Sequence, residues 1–301
     1  MTSDLYYPLA LTLVPHVGPA QAKILLQHYE AKEIFWANLP ELARIEGIGT
    51  LRAESIRRFN DFARVEQELR FLERAGVRPI FLTDPDYPRR LLHCYDPPTL
   101  LFYRGNADLN AERVITIVGK REATRYGKQV TEQLVAGLAG TPTLVVSSLL
   151  PGIDAIVHQT ALASHLPTVG ILAHGLDSIY PLAHHFLADQ MAQHGGLLTE
   201  QRSKTAPGPA LFAQRNRILA GISDAVIVIE SDLTGGSMLT AELAASYYRE
   251  VFAVPGRLNE VTSAGCHYLI RTQQAVLLSD VEQLLAEMNW TPLPTGHGAA
   301  Q

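Results

Sequence analysis

Two cysteines in 301 residues, Cys94 and Cys266, with no paired CxxC, leave neither a disulfide framework nor a cysteine zinc site to be built, and they point to a reducing compartment. No apolar run approaches membrane-spanning length, and the short stretch 9–14 follows no basic region as a signal peptide would. A cytoplasmic protein without a membrane partner is expected. Positive charge is also scarce, because 25 Lys and Arg stand against 30 Asp and Glu, a formal net charge of −5. That balance excludes a protein basic all over, so a polyanion would have to be held by a local patch.

Several catalytic strings are missing as well: there is no HExxH, no Walker A GxxxxGK(S/T), no GxSxG and no strict GxGxxG after the first strand. Hydrolase, NTPase and dehydrogenase readings lose their support. The adjacent His184 and His185 point apart on a helix and make a poor joint metal site. Asp154 and His158, four residues apart, read as a helix cap and a partly buried histidine rather than as an acid–base pair. No catalytic residue, no metal and no cofactor is expected.

What remains is an ordinary globular composition, 47% hydrophobic and 18% charged, in a length comfortable for two domains. The first sixty-odd residues have helical patterning and contain two related stretches, VPHVGPAQAKILLQHY (14–29) and IEGIGTLRAESIRRF (45–59). In each, a glycine after an apolar residue permits a tight turn whose amides open the next helix, as in helix-hairpin-helix units; the same glycines would serve a packing module equally well. Residues 77–106, rich in proline and tyrosine with short apolar runs, suggest edge strands and turns.

From residue 113 onward, apolar β-rich runs at 114–118, 143–147, 168–173, 225–230, 251–255 and 275–279 alternate with helical periodicity. Continuous apolar strands imply burial on both faces, hence a mostly parallel sheet flanked by helices, an α/β fold of the extended Rossmann-like, doubly wound kind. Ser237 and Asp154 stand where helix N-caps belong. The expected domains are a helical module over 1–68, a Rossmann-like domain over 69–285 and a disordered tail over 286–301.

In a parallel sheet the turns after strands share one edge, here 119–127, 147–158, 173–185 and 230–240. Amides around Gly119, Gly152, Gly235 and Gly236, with the hydroxyls of Ser147, Ser148, Ser237 and Thr240, suit phosphate oxygens. Lys120 and Arg121 add charge in the first turn, and Arg215 and Arg217 flank Asn216 before the fourth of these runs. Arg125 and Lys128 read better as the solvated face of a helix. Tyr126, Tyr180, Phe212 and Tyr247 are candidate platforms for stacked bases.

Seven blocks then occur in a familiar order: IVGKREATRYG, SLLPGIDAIVHQTAL, GILAHGLDSIYP, LLTEQ, FAQRNRILAGIS, VIVIESDLTGGSMLTA and REVFAVPG. Over about residues 70–280 the chain resembles the DNA-processing protein A family, DprA or Smf, and its start resembles the helix-hairpin-helix module of many members. The resemblance implies a homodimer that binds single-stranded DNA, protects it and helps load the RecA recombinase during natural transformation. By position it assigns to the DNA pocket Arg121, the Arg215, Asn216 and Arg217 block, Gly152, Ile153 and Asp154, and Gly236, Ser237, Thr240 and Ala241. Two rival expectations stand beside it. GGSMLTAE (235–242) distantly resembles the motif of Lonely Guy-type nucleotide phosphoribohydrolases, which would make Glu242 catalytic, and the chain would alternatively be mainly a recombinase-docking scaffold.

Overall fold

The computed structural model of the protein describes residues 5–290, which divide into two compact units. The first unit comprises the chain up to Arg104 together with Leu172–Ser178 and Leu198–Ile218, and the second comprises Gly105–Ile171, Ile179–Leu197 and the chain from Leu219 onward. In chain order the elements begin with α1 (Tyr6–Leu11), α2 (Pro19–Leu26), α3 (Ala31–Ile34), α4 (Leu39–Arg44), α5 (Gly49–Arg58), α6 (Phe62–Ala75), β1 (Arg78–Phe81), α7 (Arg89–Leu92) and β2 (Leu100–Gly105). They continue with β3 (Arg113–Val118), α8 (Arg125–Gly137), β4 (Thr143–Ser148), α9 (Ile153–Ala163), β5 (Thr168–Ile171), α10 (His185–His194), β6 (Gly195–Thr199) and α11 (Pro209–Gly221). The last are β7 (Ala225–Val228), α12 (Gly236–Ser246), β8 (Glu250–Ala253), α13 (Ala264–Arg271), β9 (Val276–Leu277) and α14 (Val281–Glu287).

In the first unit the helices close on Leu9, Leu11, Leu25, Ile34, Leu42, Ile48 and Ile56, all buried. Gly18 caps α2, while Gly47 and Gly49 take positive φ (82° and 65°) in the turn into α5, so both glycine hairpins of the sequence are present. Asp61 caps α6 and Gly76 ends it in the left-handed region. α6 therefore runs straight through the boundary expected at 68/69. Just before that boundary Glu68, buried, pairs with Arg64 at 2.7 Å and accepts hydrogen bonds from the Ser203 amide (2.9 Å) and hydroxyl (2.7 Å). β1 and β2 pair antiparallel, Arg78 opposite Tyr103, which fits edge strands and turns over 77–106.

The second unit is a parallel sheet with lateral order β5-β4-β3-β7-β8-β9. Strands β3, β4, β5 and β7 are buried along their whole length because both faces are covered: Ile115, Ile117, Val145, Ala225, Ile227 and Phe252 share one core with Leu134, Val135, Val157 and Leu284. The chain proceeds from β3 outward to β4 and β5, then resumes at β7 on the other side of β3. The crevice between the C-terminal ends of β3 and β7 is thus the topological switch point, where such sheets bind ligands. The fold is Rossmann-like α/β with an N-terminal helical module.

Several expectations change. β9 is only two residues long and both are exposed, so the apolar run 275–279 is an edge and not a buried strand. β6 was not anticipated; two glycines open it and only Leu197 and Leu198 mark it as apolar. α14 extends to Glu287 and Trp290 packs on the core beneath Arg113, so no tail begins at 286; residues 291–301 lie outside the described residues. Among the described residues no helix is long and apolar enough to cross a membrane.

Candidate nucleic-acid interface

Three helices of the second unit start at the strand-end edge: α8 after β3, α9 after β4 and α12 after β7. A helix N-terminus offers unpaired amides and positive potential, so each is a candidate anion seat. They are not equivalent. The start of α8 is filled by the protein itself: Thr124 caps the Gly127 amide at 3.0 Å, and the buried Glu230 carboxylate accepts from the Thr124 amide (3.1 Å) and hydroxyl. α9 and α12 begin instead at Gly152 and Gly235, and no side chain caps either of them.

Gly152 has φ +82°, and a Cβ there would lie 2.2 Å from the Lys120 carbonyl and 2.3 Å from that of Arg121. A Cβ on Gly119 would meet Ile153 at 2.6 Å. These two glycines let the turn after β3 lie directly on the start of α9, where the Ile153 amide donates to the Lys120 carbonyl at 3.0 Å. Lys120 reaches across the switch point to Asp232, its Nζ 2.7 Å from both carboxylate oxygens, so its charge is already matched. Arg121 beside it is exposed.

The hydroxyls expected to meet phosphate are spent largely on the fold. Ser147 donates to the Ile117 carbonyl (2.7 Å), Ser148 to Asp154, Ser237 to Ser231 (2.7 Å) and Thr240 to the Gly236 carbonyl (3.2 Å). Asp154 and Ser237 lie inside the first turns of α9 and α12 and are not their caps, because glycine takes each cap position. His158 is wholly buried rather than partly: its Nε2–H donates to the Ser148 carbonyl at 2.8 Å and its Nδ1 lies 2.7 Å from the Thr168 hydroxyl. Burial lowers its pKa to about 4, which keeps it neutral.

Arg215, Asn216 and Arg217 belong to the first unit, on α11, and all three are buried. Arg215 donates to the Asn216 side-chain oxygen at 3.3 Å. Arg217 sits between two carboxylates, in a short contact with Glu200 and 3.6 Å from Asp96. Burial pushes the Glu200 carboxyl above its ordinary value against the opposing pull of Arg217. Sequence reasoning missed Glu200, Asp96, Asp232 and Glu230, the acids that manage these cations and helix ends. The only available signal was a carboxylate closing an apolar run, as in LLTE and VIVIE.

Tyr247 is buried and cannot stack on a base, whereas Tyr126 and Tyr180 are exposed and Phe212 is half-buried. Arg125 and Lys128 lie exposed on α8, Lys128 3.8 Å from Glu132. Glu242 is exposed on α12.

A family model for the DNA recombination-mediator protein A matches residues 78–289, and one for the helix-hairpin-helix motif matches residues 9–68. The chain belongs to the DNA recombination-mediator protein A family. Membership makes it a DNA recombination mediator and accords with related proteins of the DprA/Smf kind. It is 36% identical to Protein Smf of Synechocystis across 97% of this chain and 74% of that protein. With the DNA processing protein DprA of Bacillus subtilis the identity is 38%, over 71% of this chain and 72% of that one. Among solved structures, DprA from Streptococcus pneumoniae superposes with a TM-score of 0.79 at 30% identity, covering 95% of this mediator and 98% of the other chain. DNA processing protein A from Helicobacter pylori, solved for its single-stranded DNA binding mode, gives 0.64 at 31% identity, over 70% of this chain and 96% of that one.

Proposed function

We propose that this mediator holds single-stranded DNA by its backbone at the strand-end edge. The observation that carries the reading is the pair of uncapped helix N-termini, those of α9 and α12, beside the exposed Arg121. On this reading Gly119, Lys120 and Arg121, the turn of Ser147, Ser148, Gly152 and Asp154, and the turn of Gly235, Gly236, Ser237 and Thr240 receive phosphates. Ser147, Ser148 and Asp154 act mainly by fixing the Gly152 turn, because their side chains are engaged within the fold. Arg215, Asn216 and Arg217 are a further contact set on the first unit. The single-strand binding of the Helicobacter pylori relative supports this assignment.

The mediator acts as a non-enzymatic cytoplasmic homodimer that protects incoming single strands and helps load RecA during natural transformation. The α/β part contacts DNA and the N-terminal helices form an accessory module, its boundary moved from residue 68 to the end of α6.

Fluorescence anisotropy of labelled single- and double-stranded oligonucleotides at several salt concentrations tests the DNA assignment. The parent is expected to prefer single strands, and Arg121→Ala to weaken binding for every sequence while lowering the log–log salt slope by about one unit. Equal binding by Arg121→Ala and the parent would remove Arg121 from the interface.

A further inference from the structure

The chain after β5 returns to the second unit at Ile179 and enters a single helical turn, Leu182–His184, that runs directly into α10. The inner side of this segment is conventional, with Leu187, Ala188 and Met191 buried. Its outer side is not. Leu182 and Phe186 are 77% and 73% exposed and stand one helical turn apart, preceded by Tyr180 at 44%. Large apolar side chains so fully in water, grouped rather than scattered, mark a contact surface.

Two observations say what covers it. His184, between the two exposed residues, donates from Nδ1 to the Leu149 carbonyl at 2.9 Å. That bond fastens the segment to the 148–152 turn, the one that opens α9. The segment that carries the exposed side chains is therefore seated on one of the two turns assigned to the DNA backbone. Residues 179–189 also contain no lysine or arginine, and their one strong charge is Asp189, paired with His185 at 3.1 Å. A face with a carboxylate and no permanent cation repels phosphate, yet it suits the uncharged π-face of a base, which stacks on aromatic and aliphatic side chains alike.

We propose that Phe186 and Leu182, with Tyr180 at their edge, form a base-stacking platform for the single strand whose phosphates lie at the α9 turn. The inference rests on the DNA reading given above and deepens it, separating a face that meets bases from turns that meet backbone. It makes binding tolerant of sequence, since every base has a π-face.

Anisotropy with the full chain and two strands of equal length, one with ordinary bases and one with abasic sites throughout, tests the platform. Phe186→Ala is expected to weaken the ordinary strand roughly tenfold, to leave the abasic strand and the salt slope unchanged, and to be restored by Phe186→Trp. Phe186 is exposed, so its removal leaves the core intact, and an unchanged urea midpoint verifies this. If Phe186→Ala binds both strands as the parent does while Arg121→Ala loses binding, the platform is wrong and the backbone site stands. If the parent binds no single strand, both fall. If Phe186→Ala instead changes only the sedimenting mass, the face is a contact between copies of the chain and the platform is equally refuted.

Discussion

Single residues at the edge of the sheet are chosen for what they let neighbours do. Gly152 is fixed twice over, by its positive φ and by carbonyls 2.2 and 2.3 Å from where a Cβ would stand. His158 illustrates a different constraint. Its pKa lies near 4 in the fold against about 6.5 in an unfolded chain, so the unfolded state takes up the proton first. The stabilisation by neutral His158 is complete above about pH 6.5 and is lost as the pH falls toward 4. Urea denaturation should show this residue costing about 2 kcal/mol between pH 7 and pH 5, and His158→Gln should flatten that part of the profile. The histidine and its spacing from Asp154 are plain in the sequence. Its full burial is not, because the partners that make burial tolerable, the Ser148 carbonyl and the Thr168 hydroxyl, come from two other strands.

At the scale of elements, the strands of the parallel sheet were legible because both faces are buried and the runs are unbroken. The same rule misled at 275–279, where an apolar run sits on an edge, and passed over β6, which begins with two glycines. α11 was illegible as a helix for a related reason: residues 215–223 are all buried, so the arginines and asparagine interrupt any apolar stripe. Asp154 and Ser237 have the residue types of helix caps but lie in first turns, and local sequence cannot tell the two positions apart when glycine precedes them. The unequal starts of α8, α9 and α12 lead to a separable outcome. Thr124→Ala removes the α8 cap and should cost about 1 kcal/mol in urea denaturation. Single-strand affinity by anisotropy should not move, since Glu230 already occupies that helix end.

For the whole molecule, the formal charge of −5 means that DNA affinity has to come from a few placed cations. The sequence shows which cations stand near glycine turns but not which of them are already matched: Lys120 faces Asp232, and Arg217 faces Glu200 and Asp96, all acids distant in the chain. That matching changes how salt should act on the protein. A phosphate that met Arg217 would displace protein carboxylates, which would then recruit dissolved cations of their own and cancel those shed by the DNA. Arg217→Ala should therefore weaken binding while leaving the salt slope nearly unchanged, and a slope reduced by a full unit would contradict it. Arg217 brings its own counterions, so for any phosphate that met it the count of released ions would fall short of the count of contacts.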